Sequence, residues 1–365
     1  MASCDGKPAM AGMNPANFEA TVDGKTTALY CLSSKGETDM QVAVTNYGGR
    51  IVALTVRDAE GVMRDVVLGF DSIQDYFPDH NPQDFGATIG RYANRINHGK
   101  MVIDGDTVQL PVNNFGHTLH GGPAGWQYKV FDAEQPNDST LILSIDSPDG
   151  DNGFPGHVKA SVTFTAMDGN KLDIRYQAET DAPTVINMTN HSYFNLSGKP
   201  EQPVTAHTLQ VTGSSYTPVD STYMTTGEIL PVAGTPMDFT TAKPVGLEIG
   251  MTDFVQIKNG NGYDHNWVLD TNGNITRKAA TLYSPESGIG MNIYTSEPGL
   301  QVYSGNFLDG TMKGKYSIVY NQRAGIALET QHYPDSPNKP QWPSVMLRPG
   351  ETYTSHTILE FFTSK

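Results

Sequence analysis

Short runs of apolar and β-branched residues, separated by turn residues, recur along almost the whole chain. Early runs span residues 18–22, 26–32, 40–45, 51–56 and 65–68, and the last spans residues 355–362. Between such runs lie Asp23-Gly24, Asp104-Gly105 and Asp168-Gly169, pairs that tolerate the positive φ angles of tight hairpins. Helical periodicity indicates only one short helix, over residues 71–77, capped by Asp71 or Ser72. The pattern predicts many antiparallel strands.

The same pattern continues without a linker or a shift in composition. Residues 1–17, rich in Gly, Pro, Met and Asn, predict a disordered leader, and residues 18–365 predict a single domain. The predicted fold class is all-β, a large antiparallel β-sandwich. With 37 Gly and 23 Pro, its strands should be joined by long shaped loops, which are the part of a sandwich that carries function.

Charge and hydropathy exclude several classes of partner. The formal net charge of -15 and the absence of a Lys/Arg cluster oppose binding to nucleic acid. No apolar run approaches the roughly 20 residues of a membrane span.

Two cellular locations stay open. The protein is either cytoplasmic, or an exported periplasmic lipoprotein whose natural chain begins at Cys4, because Ala2-Ser3 would then be the end of a trimmed signal peptide.

The stretch from Asn187 to Leu196 is unusually polar for a strand. If it is extended, one face carries Asn187, Thr189, His191, Tyr193 and Asn195, and the other carries the apolar side chains together with Ser192. The first face is a row of hydrogen-bonding groups with an imidazole at its centre. Such a face suits a polyhydroxylated ligand with which protons are exchanged.

A carboxylate interrupts the apolar run at residues 325–331. On a strand, Ile326 and Leu328 would face the core, and Glu329 would face the opposite side. A carboxylate there is costly unless it is hydrogen-bonded or used in chemistry; a structural salt bridge to Arg95 is the alternative. Residues 300–303 show the same alternation, with Gln301 and Tyr303 on the polar face.

Two further segments carry polar groups suited to a sugar. Residues 90–96 offer Arg91, Asn94 and Arg95 as donors for hydroxyl or carboxylate oxygens, although this segment by itself favours pairing of one or both arginines with acids on the surface. Asp264 lies among aromatic residues at 262–267, where turn formation is the alternative role.

The glycine-flanked segment 113–122 contains His117 and His120. These two histidines, with Asp264-His265, could ligate a metal, but the strong zinc spacings are missing, and we predict no metal site. Acyl transfer is disfavoured as well, because Ser192 lies outside any Gly-x-Ser-x-Gly context. The remaining candidate groups are a base, Glu329, two imidazoles, those of His120 and His191, and several side chains that could bind hydroxyl groups.

At these residues the chain closely resembles the aldose 1-epimerase family, the galactose mutarotases. The resemblance runs from about Phe18 to the C-terminus and rests on six blocks in family order: Gly-Arg-Tyr-Ala-Asn-Arg-Ile at 90–96, Leu-His-Gly-Gly at 119–122, Thr-Asn-His-Ser-Tyr-Phe-Asn-Leu at 189–196, Tyr-Asp-His-Asn at 263–266, Glu-Pro-Gly-Leu-Gln at 297–301 and Leu-Glu-Thr-Gln at 328–331.

The resemblance implies a galactose mutarotase-like β-supersandwich that interconverts the α and β anomers of free hexoses such as galactose and glucose. It implies that Glu329 is the general base, His191 the general acid and His120 the second catalytic histidine. The substrate-binding positions that it implies are Asn94, Arg95, His120, His191, Ser192, Tyr193, Asp264 and Gln301.

The resemblance also implies a monomer that needs no cofactor for catalysis. A bound, non-catalytic calcium is possible, for instance near residues 149–152, although no EF-hand spacing exists. Two alternative functions stay open, a hexose 6-phosphate mutarotase and a non-catalytic carbohydrate-binding protein. Reference pKa values of roughly 4.3 for Glu and 6.5 for His predict an ionised Glu329 beside a partly protonated His191.

Overall fold

The computed structural model describes residues 13–34, 40–80 and 83–364. In this part of the chain one α-helix, Val255–Gly260, and eight short 3-10 helices accompany twenty-nine strands. The strands are β1 (Thr21–Val22), β2 (Lys25–Thr26), β3 (Leu29–Ser33), β4 (Gln41–Thr45), β5 (Arg50–Arg57), β6 (Met63–Asp65), β7 (Ala87–Ile89), β8 (Arg95–Ile96), β9 (Lys100–Ile103), β10 (Asp106–Gln109), β11 (Thr118–Leu119), β12 (Asp132–Asn137), β13 (Thr140–Ser147), β14 (Val158–Met167), β15 (Lys171–Thr180), β16 (Thr184–Val185), β17 (Thr189–His191), β18 (Tyr193–Phe194), β19 (Thr208–Val211), β20 (Ser215–Thr217), β21 (Leu230–Pro231), β22 (Lys243–Pro244), β23 (Asp264–Val268), β24 (Lys278–Tyr283), β25 (Ile289–Thr295), β26 (Gly299–Tyr303), β27 (Ile326–Gln331), β28 (Met346–Leu347) and β29 (Tyr353–Thr363).

Three larger sheets, in which all paired strands are antiparallel, build the molecule. The first has nine strands in the order β12-β13-β14-β15-β29-β25-β24-β19-β22, and the second has six in the order β18-β27-β26-β23-β20-β21. A four-stranded sheet, β3-β4-β5-β6, and several two-stranded ribbons complete the fold. The predicted all-β antiparallel fold class is confirmed.

Burial along the strands explains how the sheets pack. In β14 and β29 buried residues alternate with more exposed ones, so the nine-stranded sheet has one core face and one solvent face. The main core cluster joins that core face to the six-stranded sheet through side chains such as Met291, Ile293, Trp267 and Leu328. In β26 and β27, by contrast, every residue is buried, which means that both faces of these strands are covered.

Several local predictions are confirmed. Asp23-Gly24 and Asp104-Gly105 form hairpin turns with positive φ angles between β1 and β2 and between β9 and β10. The short helix predicted at residues 71–77 is a 3-10 helix, Ile73–Tyr76; Ser72 occupies its N-cap position, but the Ser72 side chain makes no capping hydrogen bond. The α-helix at residues 255–260 was not predicted, because six residues are too few for a helical period to be recognised.

The predicted disordered leader differs from the structure at its end. Residues 1–12, including Cys4, lie outside the described residues. Met13 is buried in the second core cluster, and Pro15–Phe18 forms a 3-10 helix whose N-cap, Asn14, accepts a hydrogen bond from the backbone of Ala16. An apolar side chain and a capped turn therefore order residues 13–17. None of the described helices is long and apolar enough to cross a membrane.

Candidate active site

The register of the six-stranded sheet brings distant polar residues side by side. Gln301 on β26 is paired with Glu329 on β27 and with Asn266 on β23. Their apolar neighbours, such as Leu300 and Leu328, point into the main core, as the alternation in the sequence predicts. The opposite face of the sheet is therefore polar and carries Glu329 near its middle.

The polar stretch at residues 187–196 reaches this face from the side. β17 pairs with β7, placing His191 opposite Ala87, and β18 pairs with β27, placing Tyr193 opposite Ala327. The chain changes partner at Ser192, between the two strands. His191 and Tyr193 consequently share one side and stand next to Glu329.

A two-stranded ribbon positions His120. Asn94 precedes β8, His120 follows β11, and both residues adopt positive φ angles, 62° and 50°. The backbone N–H of His120 donates to the carbonyl oxygen of Asn94 at 3.0 Å, and the N–H of Asn94 donates to Nδ1 of His120 at 3.1 Å. Since Nδ1 is an acceptor, the imidazole proton lies on Nε2, and His120 presents a donor on that side.

These segments enclose a cavity of about 400 Å³. Seven of the nine predicted site residues line it, and Ser192 and Gln301 do not. Its walls are formed by Gln83, Asp84, Asn94, Arg95, Asn114, Phe115, Leu119, His120, His191, Tyr193, Asp264, Tyr303, Phe307 and Glu329.

Gln301 and Ser192 have other places in the structure. Gln301 donates from Nε2 to Oδ1 of Asp264 at 2.7 Å, which orients that carboxylate toward the cavity. Ser192 is buried and does not line the cavity, and its backbone N–H donates to Oδ1 of Asn190. The substrate-binding role that the resemblance implies for these two residues stays a prediction.

The two arginines of the 90–96 segment have separate roles. Arg91 donates to the carbonyl oxygens of Ser147, Pro148 and Pro155, and none of these residues lines the cavity. Arg95 lies in the cavity wall, where its Nε and Nη2 donate to Oδ1 of Asn114. Its Nη1 is left for a ligand. The described ion pairs include none between Arg95 and Glu329, so the structural salt bridge considered above is absent from the described residues.

Glu329 and His191 form the chemical centre of the cavity. Oε1 of Glu329 lies 3.5 Å from Nε2 of His191, and both side chains are almost completely buried. Among the described residues, Oε2 of Glu329 and Nδ1 of His191 are buried without a hydrogen-bond partner. Buried polar atoms are rarely left in this state unless a ligand or water completes them.

Burial overturns the predicted ionisation of this pair. Desolvation, reinforced by the charge of Asp264, raises the pKa of Glu329 well above its usual value. Desolvation lowers the pKa of His191 to about 4 and that of His120 well below its usual value. These shifts favour a protonated Glu329 beside a neutral His191. They disfavour the predicted ionised Glu329 and partly protonated His191, because model-compound pKa values omit the cost of burying charge.

The polar atoms left for a ligand include donors and acceptors. The Asn94 side-chain oxygen accepts from the Arg95 backbone, which leaves the amide NH₂ group, and His120 contributes Nε2–H. Asp264 retains Oδ2, since Gln301 occupies Oδ1. Burial raises the pKa of Asp264, and the nearby Arg95 opposes this shift. A cavity with several donors and acceptors around a proton-transferring pair suits a hydroxylated molecule.

Three of these side chains are close enough together to hold a metal ion. His120, His191 and Glu329 offer ligand atoms that lie within 4.8 Å of one another. However, a metal-bound histidine normally donates its other ring N–H, whereas Nδ1 of His120 accepts a hydrogen bond. Coordination through Nε2 would then require an imidazole with no proton, which argues against a metal here. His117 and His265 do not line the cavity and contact Thr222 and Gln256 instead.

The acidic loop considered for calcium is occupied by internal partners. Asp149 accepts from the backbone of Gly156, and Asp151 accepts from Lys129 and Ser147. Both carboxylates are therefore already used in holding the loop.

Several cavity residues were not predicted as site residues. Asn114, Phe115 and Leu119 belong to the glycine-flanked segment 113–122, and Tyr303 alternates with core residues on β26, so their positions in the sequence carried a signal. Gln83 and Asp84 carried none, since they lie in a polar turn outside every recognised motif.

Comparison with solved structures defines the class of protein. An aldose epimerase homologue from C. elegans superimposes with a TM-score of 0.83 at 30% identity, covering 93% of this chain and 100% of the other. The aldose 1-epimerase family model matches residues 30–360. Galactose mutarotase from Homo sapiens is 41% identical over 322 residues, 88% of this chain and 91% of the relative, and aldose 1-epimerase from Escherichia coli K12 is 37% identical over 333 residues, 90% and 94%. The chain belongs to the aldose 1-epimerase family.

Proposed function

We propose that this protein interconverts the α and β anomers of free aldohexoses such as galactose and glucose. The observation that carries the proposal is the buried Glu329–His191 pair, 3.5 Å apart, at a cavity whose remaining polar atoms suit sugar hydroxyls. The human and Escherichia coli relatives, a galactose mutarotase and an aldose 1-epimerase, support the same reaction.

The reaction opens the pyranose ring and closes it on the other face of C1. Opening requires removal of the proton from the O1 hydroxyl and delivery of a proton to O5, so that the C1–O5 bond breaks and C1=O1 forms. In our proposal the Glu329 carboxylate accepts the O1 proton and the His191 imidazolium donates to O5. After rotation about C1–C2, Glu329 returns a proton to O1 and His191 accepts one from the C5 hydroxyl.

The protonation state favoured by burial fits one half of this cycle. A protonated Glu329 and a neutral His191 are what the pair becomes after ring opening and what ring closure needs. The ion pair needed for opening contains the same number of protons, with one moved from Glu329 to His191 across the 3.5 Å gap. We therefore propose that the pair recycles a single proton and that each half-reaction restores the state required by the other.

His120 and Asp264 hold the substrate in this scheme. The Nε2–H group of His120 would donate to O5 or O1 as charge shifts between them. The Oδ2 atom of Asp264, with Arg95 beside it, would accept from hydroxyls beyond C1. Holding those hydroxyls leaves C1 as the part of the open chain that can turn.

Polarimetry on α-galactose and α-glucose tests the assignment. Glu329→Gln and His191→Asn should each lower kcat by at least about 100-fold, the usual contribution of a positioned general acid or base. Glu297 provides a matched control, because it is an equally buried glutamate whose Oε2 lies 2.7 Å from Nδ1 of His332 outside the cavity. Glu297→Gln should keep its activity within about tenfold. Near-wild-type rates in both cavity variants would refute the proposed mechanism.

A further inference from the structure

A third carboxyl group lies in the cavity besides those of Glu329 and Asp264. Asp84 lines the cavity wall, its side chain is buried, and Oδ1 accepts a hydrogen bond from the Tyr128 hydroxyl at 3.2 Å. Its backbone has a φ of 55°, and its carbonyl oxygen accepts from the N–H of Ala87 at 3.1 Å. This turn fixes Asp84 at the start of β7, the strand that pairs with β17 at His191.

The surroundings of Asp84 combine a cation with low solvent access. Arg50 is completely buried, donates to the carbonyl oxygens of Phe85 and Gln127, and attracts the Asp84 carboxylate. Burial outweighs this attraction and raises the pKa of Asp84 to about 6. The group is therefore mostly ionised at pH 7, and it needs a hydrogen-bond donor when bound substrate displaces water.

Strand order places Asp84 and Asp264 on opposite sides of the reacting pair. Asp84 precedes β7, and β7 pairs with β17. β17 leads into β18, which pairs with β27. Next come β26 and β23, which carry Gln301 and Asp264. Neighbouring strands are about 4.8 Å apart, so His191 lies on the Asp84 side of Glu329 and Asp264 lies on the other.

The substituents around a pyranose ring occur in a matching order. If Glu329 exchanges a proton with O1 and His191 exchanges one with O5, the next substituent beyond O5 is the C6 hydroxymethyl group on C5. The next substituent beyond O1 is the C2 hydroxyl. The residue beyond His191 therefore meets C6. We propose that Asp84 is a specificity-determining residue whose carboxyl group accepts a hydrogen bond from the C6 hydroxyl of an aldohexose. This inference rests on the proposed function.

The contact would select among sugars by the group at C6. A 6-deoxy sugar leaves the buried carboxyl without its donor, and a site built for a hydroxyl discriminates strongly against an analogue lacking it. A 6-phosphate places like charges together, which disfavours binding. Asp84 would thus separate free hexoses from the 6-phosphates of the alternative function considered above.

The experiment compares D-galactose with 6-deoxy-D-galactose in wild-type protein and in Asp84→Ala and Asp84→Asn. In the wild type, kcat/KM should favour galactose by about 10- to 100-fold, the contribution of a hydrogen bond to a charged group. In Asp84→Ala the ratio should fall toward one, and Asp84→Asn should lie between. Equal losses on both sugars, or an unchanged ratio, would overturn the inference, since a purely structural or electrostatic role affects both sugars alike.

A matched control and a binding measurement complete the design. Asp58 is a similarly buried aspartate, paired with Arg64 and outside the cavity lining, so Asp58→Asn should keep the wild-type ratio. The ratio of the two Kd values, measured by calorimetry, tests the Asp84 contact without turnover. Wild-type protein that binds galactose selectively through Asp84 but accelerates no mutarotation would refute the proposed function alone. Acceleration without a C6 preference would refute this inference alone.

Discussion

Two buried glutamates, each beside a histidine, have opposite surroundings. Glu297 contacts His332 at 2.7 Å, a normal hydrogen-bond distance, and its backbone N–H donates to Thr295. Glu329 is 3.5 Å from His191, and its other oxygen has no partner among the described residues. The first pair is satisfied within the fold. In the second pair, one oxygen of Glu329 remains able to accept a hydrogen bond from a ligand in the cavity.

Removing the Glu329 carboxyl should therefore stabilise the protein as pH rises. Because its folded pKa lies above its unfolded value, the wild type loses stability between about pH 4.5 and the folded pKa, by about 1.4 kcal/mol per pH unit. Glu329→Gln cannot ionise and avoids this loss. We expect its free energy of unfolding to match the wild type near pH 4.5 and to exceed it at pH 7–8, as measured by urea titration.

The control for that measurement is again Glu297→Gln, which should lower stability because it weakens a satisfied buried pair. A stability difference between Glu329→Gln and wild type that is the same at pH 5 and pH 8 would mean that Glu329 ionises normally in the folded protein.

At the scale of single residues, the sequence predicted which side chains face away from the core better than it predicted their pKa values. Alternation on a strand was enough to turn His191 and Glu329 away from the core. It could not predict their pKa values, because the burial of both groups depends on loops that close over the sheet. Asp84 escaped prediction for a related reason, since its turn reaches the cavity only through the pairing of β7 with β17.

Among the elements, β26 and β27 differ most from the other strands. Strands of the nine-stranded sheet alternate between core and solvent, whereas in β26 and β27 the core residues alternate with residues on the buried face that carries Gln301 and Glu329. The polar residues in these runs were therefore visible in the sequence as interruptions. The segment 90–96 is different, because the sequence does not distinguish its two arginines. Only the folded chain shows that Arg91 and Arg95 contact different loops.

The two arginines should give opposite phenotypes when each is replaced by methionine. Arg91→Met removes donors from three carbonyl oxygens and should lower the free energy of unfolding by about 3 kcal/mol or more. The protein that remains folded should keep its kcat/KM. Arg95→Met should lower kcat/KM by about 10-fold or more, because a cavity donor is lost, with a smaller effect on stability.

Urea titration and polarimetry on the same preparations separate these effects. If Arg91→Met lost activity at full folding, or Arg95→Met lost only stability, the division of roles between the arginines would be incorrect. The sequence could not make this division, since it depends on which loop each side chain meets. Arg91 turns to residues 147–155 and Arg95 to Asn114.

At the scale of the whole molecule, the last strand in sequence lies in the interior of the largest sheet. β29 pairs with β15 on one side through eight residue pairs and with β25 on the other through seven. It therefore joins the consecutive strands β12–β15 to the part of the sheet built from later segments. The sequence predicted this strand but not its neighbours, because pairing between distant segments leaves no local pattern.

Deleting residues 353–365 should abolish cooperative folding. Loss of β29 would expose the hydrogen-bonding edges of β15 and β25 and the core around Leu359 and Phe361. The measurement is thermal unfolding by circular dichroism, compared with a chain that ends after Thr363. A truncated protein that still melts in a single sharp transition would contradict the central role of β29.

The position of β29 also affects how the protein is made. A growing polypeptide emerges from the ribosome N-terminus first, so β15 and β25 are made before β29. The nine-stranded sheet consequently cannot be completed before β29 emerges, and until then β15 and β25 have open edges. The protein is most exposed to aggregation in that interval, and chaperones that shield unpaired strands would act on it then.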